Sequence, residues 1–139
     1  MGHDTWVNAY LGKKFEKLVI TLIKDNLLLK SKNFDKIGSQ WGKFEGENSK
    51  NTYEIDILGL NEKTKEAVFG ECKWKNKVNA LKIIKELEEK TGYVDWNKES
   101  RKETLVIFAK SFSKRISEFN GKKVLCFDLK DIRKELKKN

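Results

Sequence analysis

Five consecutive apolar residues, Leu105-Val106-Ile107-Phe108-Ala109, lie between polar and charged neighbours and constrain the fold more than any other feature. The run is too short for a buried helix and has no polar side to turn towards water. It therefore reads as a strand covered on both faces. Val124-Leu125-Cys126-Phe127 reads as another. A sheet buried on both faces needs helices on both faces. Leu11, Phe15, Leu18, Val19, Leu22 and Ile23 recur at helical spacing within residues 4–29, as one helix or two, with Gly12 a candidate bend. Leu81, Ile84, Leu87 and Glu88 define an amphipathic helix over 79–90, which Gly92 stops.

Tyr53-Glu54-Ile55-Asp56-Ile57-Leu58-Gly59-Leu60 and Ala67-Val68-Phe69-Gly70-Glu71-Cys72-Lys73-Trp74 read as two further strands. The five-residue link Asn61-Glu62-Lys63-Thr64-Lys65 suits a β-hairpin between them. A strand of uncertain extent is expected over 34–43, ending near Trp41-Gly42, then a polar loop or hairpin turn over 45–51. A short helix over 114–119 and a last one over 128–138 complete the expected order: helix, three strands, helix, strand, helix, strand, helix. The expected fold is α/β with a mixed central sheet. The chain has 139 residues, enough for a single domain with its own core and no disulfide or structural metal.

The formal net charge of +9 favours polyanions such as nucleic acid. The cations are almost all lysines, Arg101, Arg115 and Arg133 being the exceptions, and lysine is the poorer phosphate fork. The charge therefore permits nucleic-acid binding without establishing it. Cys72, Cys126 and one histidine are too few for a zinc site of Cys and His alone. Each cysteine sits in an apolar run and reads as a buried thiol, which fits a reducing cytoplasm. No apolar run approaches the ~18 residues that span a bilayer, and no signal peptide is read. Met1-Gly2-His3 is read as a cloning remnant, which would make the chain an excised piece of a longer protein.

Side chains alternate across a strand, so Glu54, Asp56 and Leu58 are expected on one side and Tyr53, Ile55 and Ile57 on the other. In the next strand Phe69, Glu71 and Lys73 should oppose Val68, Cys72 and Trp74. Both strands thus carry charge inside an apolar stretch, and the hairpin register brings Asp56 near Glu71. Two such carboxylates repel, and burying them unpaired costs several kcal/mol. A divalent cation would relieve that. Carboxylates, waters and a phosphate oxygen satisfy the octahedral preference of Mg²⁺. The ion polarises the phosphate and acidifies an attacking water, while a nearby lysine orients that water or neutralises developing charge. The plain alternative is a cross-strand ion pair on an exposed sheet face.

Glu54-Ile55-Asp56 followed by Gly70-Glu71-Cys72-Lys73-Trp74 resembles the PD-(D/E)XK nuclease superfamily. More narrowly, with Tyr10-Leu11-Gly12-Lys13-Lys14-Phe15-Glu16 and Trp41-Gly42, the chain resembles the nuclease-like C-terminal domain of certain archaeal AAA-type ATPases, over about residues 6–132. The resemblance implies a restriction-endonuclease-like core and Mg²⁺- or Mn²⁺-dependent hydrolysis of DNA. It implies Asp56 and Glu71 as metal ligands, Lys73 as the catalytic lysine and Glu16 as the accessory acid of the first helix. Ile55 stands where the family motif has proline. The resemblance further implies an ATPase domain in the full-length chain. Glu16 also joins the edge of its helix's apolar stripe, four residues before Ile20 and seven before Ile23, where an acid points towards a core or cleft.

Lys75, Lys77 and Lys82 are candidate phosphate contacts, and Lys110, Lys114 and Arg115 pose the same question after the next strand. Trp41 and Trp74 are candidate base-stacking residues, with core packing the commoner fate of a strand-end tryptophan. DNA is the expected partner, with RNA open. Three rival readings stand beside the fused nuclease domain. One is a Holliday-junction resolvase-like enzyme acting as a homodimer. The others are a non-catalytic nucleic-acid-binding module and an assembly domain.

Overall fold

The computed structural model describes residues 2–43 and 52–138. The expected polar loop over 45–51 lies outside the described residues. In chain order the elements are α1 (Gly2–Lys24), β1 (Lys36–Lys43), β2 (Thr52–Asn61), β3 (Glu66–Lys73), β4 (Val78–Asn79) and α2 (Ala80–Thr91). They continue with β5 (Lys102–Ala109), β6 (Phe112–Lys114), β7 (Glu118–Phe119), β8 (Lys122–Phe127) and α3 (Leu129–Lys137).

Six strands form one mixed sheet in the order β1-β2-β3-β5-β8-β7, and β4 pairs with β6 in a two-stranded sheet. β1, β2 and β3 form an antiparallel meander, while β3, β5 and β8 run parallel. The chain is thus α/β, with a mixed sheet flanked by helices, and the arrangement is compatible with a restriction-endonuclease-like core. Among the described residues no helix is long and apolar enough to cross a membrane.

Leu105, Val106, Ile107, Phe108 and Ala109 are all 0% exposed, as a strand covered on both faces must be. Leu105 and Ile107 join Phe69, Ile84 and Leu87 in the core under α2. Val106 and Phe108 join Phe15, Val19, Val68 and Ile132 in the core under α1 and α3. Asn79 caps α2 by accepting the Leu81 N–H at 3.1 Å, and Gly92 follows its last residue. Asp128 and Asp131 form a reciprocal capping box at the start of α3.

Three expectations are corrected. The first helix runs unbroken through Gly12 and ends at Lys24, short of residue 29. Asn26 takes a left-handed conformation (φ 59°), and the Leu27 N–H donates back to the Leu22 carbonyl at 2.8 Å. Leu28 is then a buried plug after the turn, which extends the apolar pattern without extending the helix. The short helix expected over 114–119 is absent: those residues include the end of β6 and the two-residue β7. Phe112, Ile116 and Phe119 have near-helical spacing, but each packs from extended chain onto the α2 core. Tertiary burial outweighs a weak local preference here.

The third correction concerns β2. Gly38 pairs with Leu58 but Gln40 with Ile55, so β2 carries one residue more than β1 between the two pairs. The single residue Ser39 thus opposes the pair Asp56-Ile57, a β-bulge. Strict alternation would keep Ile55 and Ile57 together. Instead Tyr53, Ile55 and Leu58 face α2, while Ile57 faces α1. The bulge leaves Asp56 and Ile57 on the same side.

Candidate active site

β2 and β3 pair regularly from Asn61–Glu66 to Ile57–Gly70, and there the backbone ladder stops. Two carboxylates take its place. Asp56 Oδ2 accepts the Cys72 N–H at 2.9 Å, and Glu71 Oε2 accepts the Asp56 N–H at 3.1 Å. Acidic side chains thus fill a slot where carbonyls would otherwise sit. Gly70 brings the strands close before they part: a Cβ there would lie 2.8 Å from Val106 Cγ1 and 3.2 Å from Ile57 Cβ.

Asp56 and Glu71 approach this slot from opposite sides. Glu71 stands in register with Ile107, on the α2 face, and is 4% exposed. Its Oε1 accepts from Lys90 Nζ of α2 at 2.7 Å. Asp56 belongs to the α1 face, where carboxylate oxygens of Glu16, Glu54 and Asp56 lie within 4.8 Å of one another. The geometry therefore brings Asp56 to both neighbours: Glu71 through the sheet, and Glu16 with Glu54 beneath α1.

The charges strain one another. Burial lifts the Asp56 pKa to about 6, helped by the Glu71 charge and a side-chain hydrogen bond with Glu71. The Cys72 N–H and the Lys73 charge pull the other way. Burial and the Asp56 charge also raise Glu16, against the pull of Lys13. The Cys72 thiol is pushed up by burial and by Asp56, Glu16 and Glu71. A carboxylate that stays protonated well above its usual range lacks a counter-charge. Oxygen donors crowded in this way fit a hard divalent cation such as Mg²⁺ or Mn²⁺.

Among the described residues Lys73 makes no ion pair within 4 Å, although its charge acts on Asp56. The other expected cations part company. Lys75 lines a cleft beside the acids. Lys77 is exposed in a left-handed turn, its N–H donating to Ser111 Oγ at 2.8 Å. Lys82 is exposed on α2, beyond the sheet from α1. Trp41 is 68% exposed and pairs across the strands with Glu54, at the edge of the acid cluster. Trp74 packs on Phe15, ring centroids 5.1 Å apart.

Lys90 was missed in the sequence. Its signal was present, since it lies three residues after Leu87 and one before Thr91, at the edge of the buried stripe of α2. Glu54 was legible as a partner by alternation, and α1 decides its place in the cluster.

The chain belongs to the DUF234 family, described as archaeal and bacterial proteins of unknown function, whose model matches residues 3–88. It is 34% identical over 132 residues to a protein of Methanocaldococcus jannaschii named "Uncharacterized protein MJECL04". That alignment covers 90% of this chain but 26% of the relative, so the chain spans about a quarter of the relative's length. No solved structure matches the chain.

Proposed function

We propose that the chain is a divalent-metal-dependent nuclease of the PD-(D/E)XK type that hydrolyses DNA phosphodiester bonds. The observation that supports this reading best is geometric: Asp56 meets Glu71 through the opened ladder, and on its other side its carboxylate lies with those of Glu16 and Glu54, oxygens within 4.8 Å of one another. Asp56, with Glu71 on one side and Glu16 and Glu54 on the other, would hold Mg²⁺ or Mn²⁺. Bound there, the ion would supply Lewis-acid polarisation of the phosphate and acidify the attacking water.

The chain's own groups divide the remaining work. Lys90 pairs with one Glu71 oxygen from behind, and the other Glu71 oxygen accepts the Asp56 N–H. Lys73, free of ion pairing among the described residues, orients the attacking water or offsets charge developing on the phosphate. Glu16 is the accessory acid of the first helix, placed with Asp56 and Glu54 in one oxygen cluster.

A specific observation favours a wider setting: the chain spans about a quarter of its Methanocaldococcus relative. The domain would then act as the nuclease part of a longer protein, with an ATPase domain as the proposed companion.

Plasmid and branched DNA, incubated with Mn²⁺ or with chelator, test the activity. Wild type is expected to cut in Mn²⁺ alone, and Asp56→Asn and Glu71→Ala to lose at least about a hundredfold in rate, as loss of a principal electrostatic group does. Cleavage indifferent to chelator and to both substitutions would remove the mechanism.

A further inference from the structure

Beside the acids lies a cleft of about 620 Å³, between the first half of α1 and the carboxyl ends of β3 and β5. Gly12, Lys73, Trp74, Lys75, Asn76 and Lys110 line it. The carboxyl ends of parallel strands are where open α/β sheets receive ligands, because the chain leaves the sheet there and frees side chains.

Local backbone bonds hold the cations together. The Lys75 N–H donates to the Lys73 carbonyl at 2.8 Å, and the Lys110 N–H to the Lys75 carbonyl at 3.1 Å. Among the described residues none of these three ammonium groups has a carboxylate within 4 Å. Lysines that line one cleft with no carboxylate close enough to pair offer an entering anion positive charge to bind.

The same lining is poor at reading bases. Trp74 is packed by Phe15, and the Lys110 ammonium stands over its ring at 4.5 Å, so the indole is not an open stacking surface. Asn76 Oδ1 already accepts from Ser111 Oγ at 3.1 Å. What remains is charge, and Cys72 and Lys73 belong both to this lining and to the strand that meets Asp56.

We propose that this cleft binds the phosphodiester backbone of a nucleic-acid strand, at a phosphate neighbouring the one presented to Asp56, without reading its bases. Its direction rests on the nuclease reading above; its charge rests on the cleft alone. Lys75 and Lys110 are the gripping residues, and Lys73 is shared with the acid site. Lys77 and Lys82 lie outside this lining.

Fluorescence anisotropy with labelled single-stranded and duplex oligonucleotides, in chelator and from about 50 to 200 mM salt, tests this. Each phosphate contact adds about 0.7 to the salt slope on a single strand and about 0.9 on a duplex. Lys75→Gln with Lys110→Gln should therefore flatten the slope by about 1.4 or 1.8. Lys63→Gln with Lys134→Gln removes the same charge from exposed sites elsewhere and should leave the slope unchanged. Oligonucleotides of unrelated sequence should bind wild type alike.

Equal flattening in both double variants would overturn the cleft in favour of a diffuse field. So would strong sequence preference, or no binding by wild type. The two proposals fail separately. Cleavage abolished by Asp56→Asn, with binding untouched by Lys75→Gln and Lys110→Gln, sinks the cleft and keeps the nuclease. Cleft-dependent binding with no cleavage under any metal does the reverse.

Discussion

Asp56 is held where its own charge opposes folding. Its carboxyl titrates at about 6 instead of 3.8, because burial and then the Glu71 charge disfavour ionisation. A group whose pKa is higher in the native state binds its proton more tightly there. Its contribution is therefore fully present below about pH 4 and is lost as pH rises through 6. Asp56→Asn removes the charge and keeps an oxygen for the Cys72 N–H. In chelator at pH 7.5 this variant should melt several degrees above wild type, for a gain on the order of 1–2 kcal/mol, with the gain vanishing near pH 4. Melting curves at the two pH values check it. A variant less stable than wild type at both would mean that the charged hydrogen bond outweighs the repulsion. At this scale the sequence was informative: charge inside the apolar runs of two strands marked Asp56 and Glu71. Lys90 was harder to see, because strand alternation is silent about which helix residue reaches a strand carboxylate.

Among the elements, the β2–β3 pair decides the site. A ladder carried on past Ile57 and Gly70 would leave no slot for acid side chains. Gly70 sits at the last regular pair, and an added methyl would press on Val106 and Ile57. Gly70→Ala should cost about 1–3 kcal/mol by overpacking and disturb the neighbouring bulge. Urea denaturation should register the loss, and Mn²⁺ titration of the folded variant a weakened metal response. Unchanged stability would mean that Val106 yields easily and that the close approach is incidental. Hairpin, strands and α2 were all readable from periodicity, yet the bulge at Asp56-Ile57 was not. A bulge is set by the register of β1 against β2, and no local pattern records that register. The segment 114–119 misled for a related reason: Ile116 and Phe119 satisfy their burial against α2 without forming a turn of helix.

At the scale of the whole molecule, acid clusters and a net charge of +9 coexist because they occupy different places. Glu71 is buried and Asp56 half-buried within the sheet, whereas Lys75, Lys77 and Lys82 stand exposed. An inward cluster relieved by a cation should couple metal binding to global stability. At a hundredfold excess over its Kd, Mn²⁺ or Mg²⁺ should stabilise the fold by about 2.7 kcal/mol and raise Tm accordingly. Calorimetry with and without chelator measures this, and Asp56→Asn should lose most of the rise. A wild-type Tm indifferent to either ion would argue against a metal held by these acids.

By itself the sequence determined that the chain is α/β, that Leu105–Ala109 runs through the middle of a covered sheet, and that acids and a lysine interrupt two neighbouring strands. Those properties follow from hydrophobic period and local charge, which are short-range. Only the tertiary structure decided that Asp56 meets Glu71 through an opened ladder while facing Glu16 and Glu54, and that Lys90 holds Glu71 from the other side. Those contacts depend on which surfaces the two core layers bury, and burial is a property of the assembled whole.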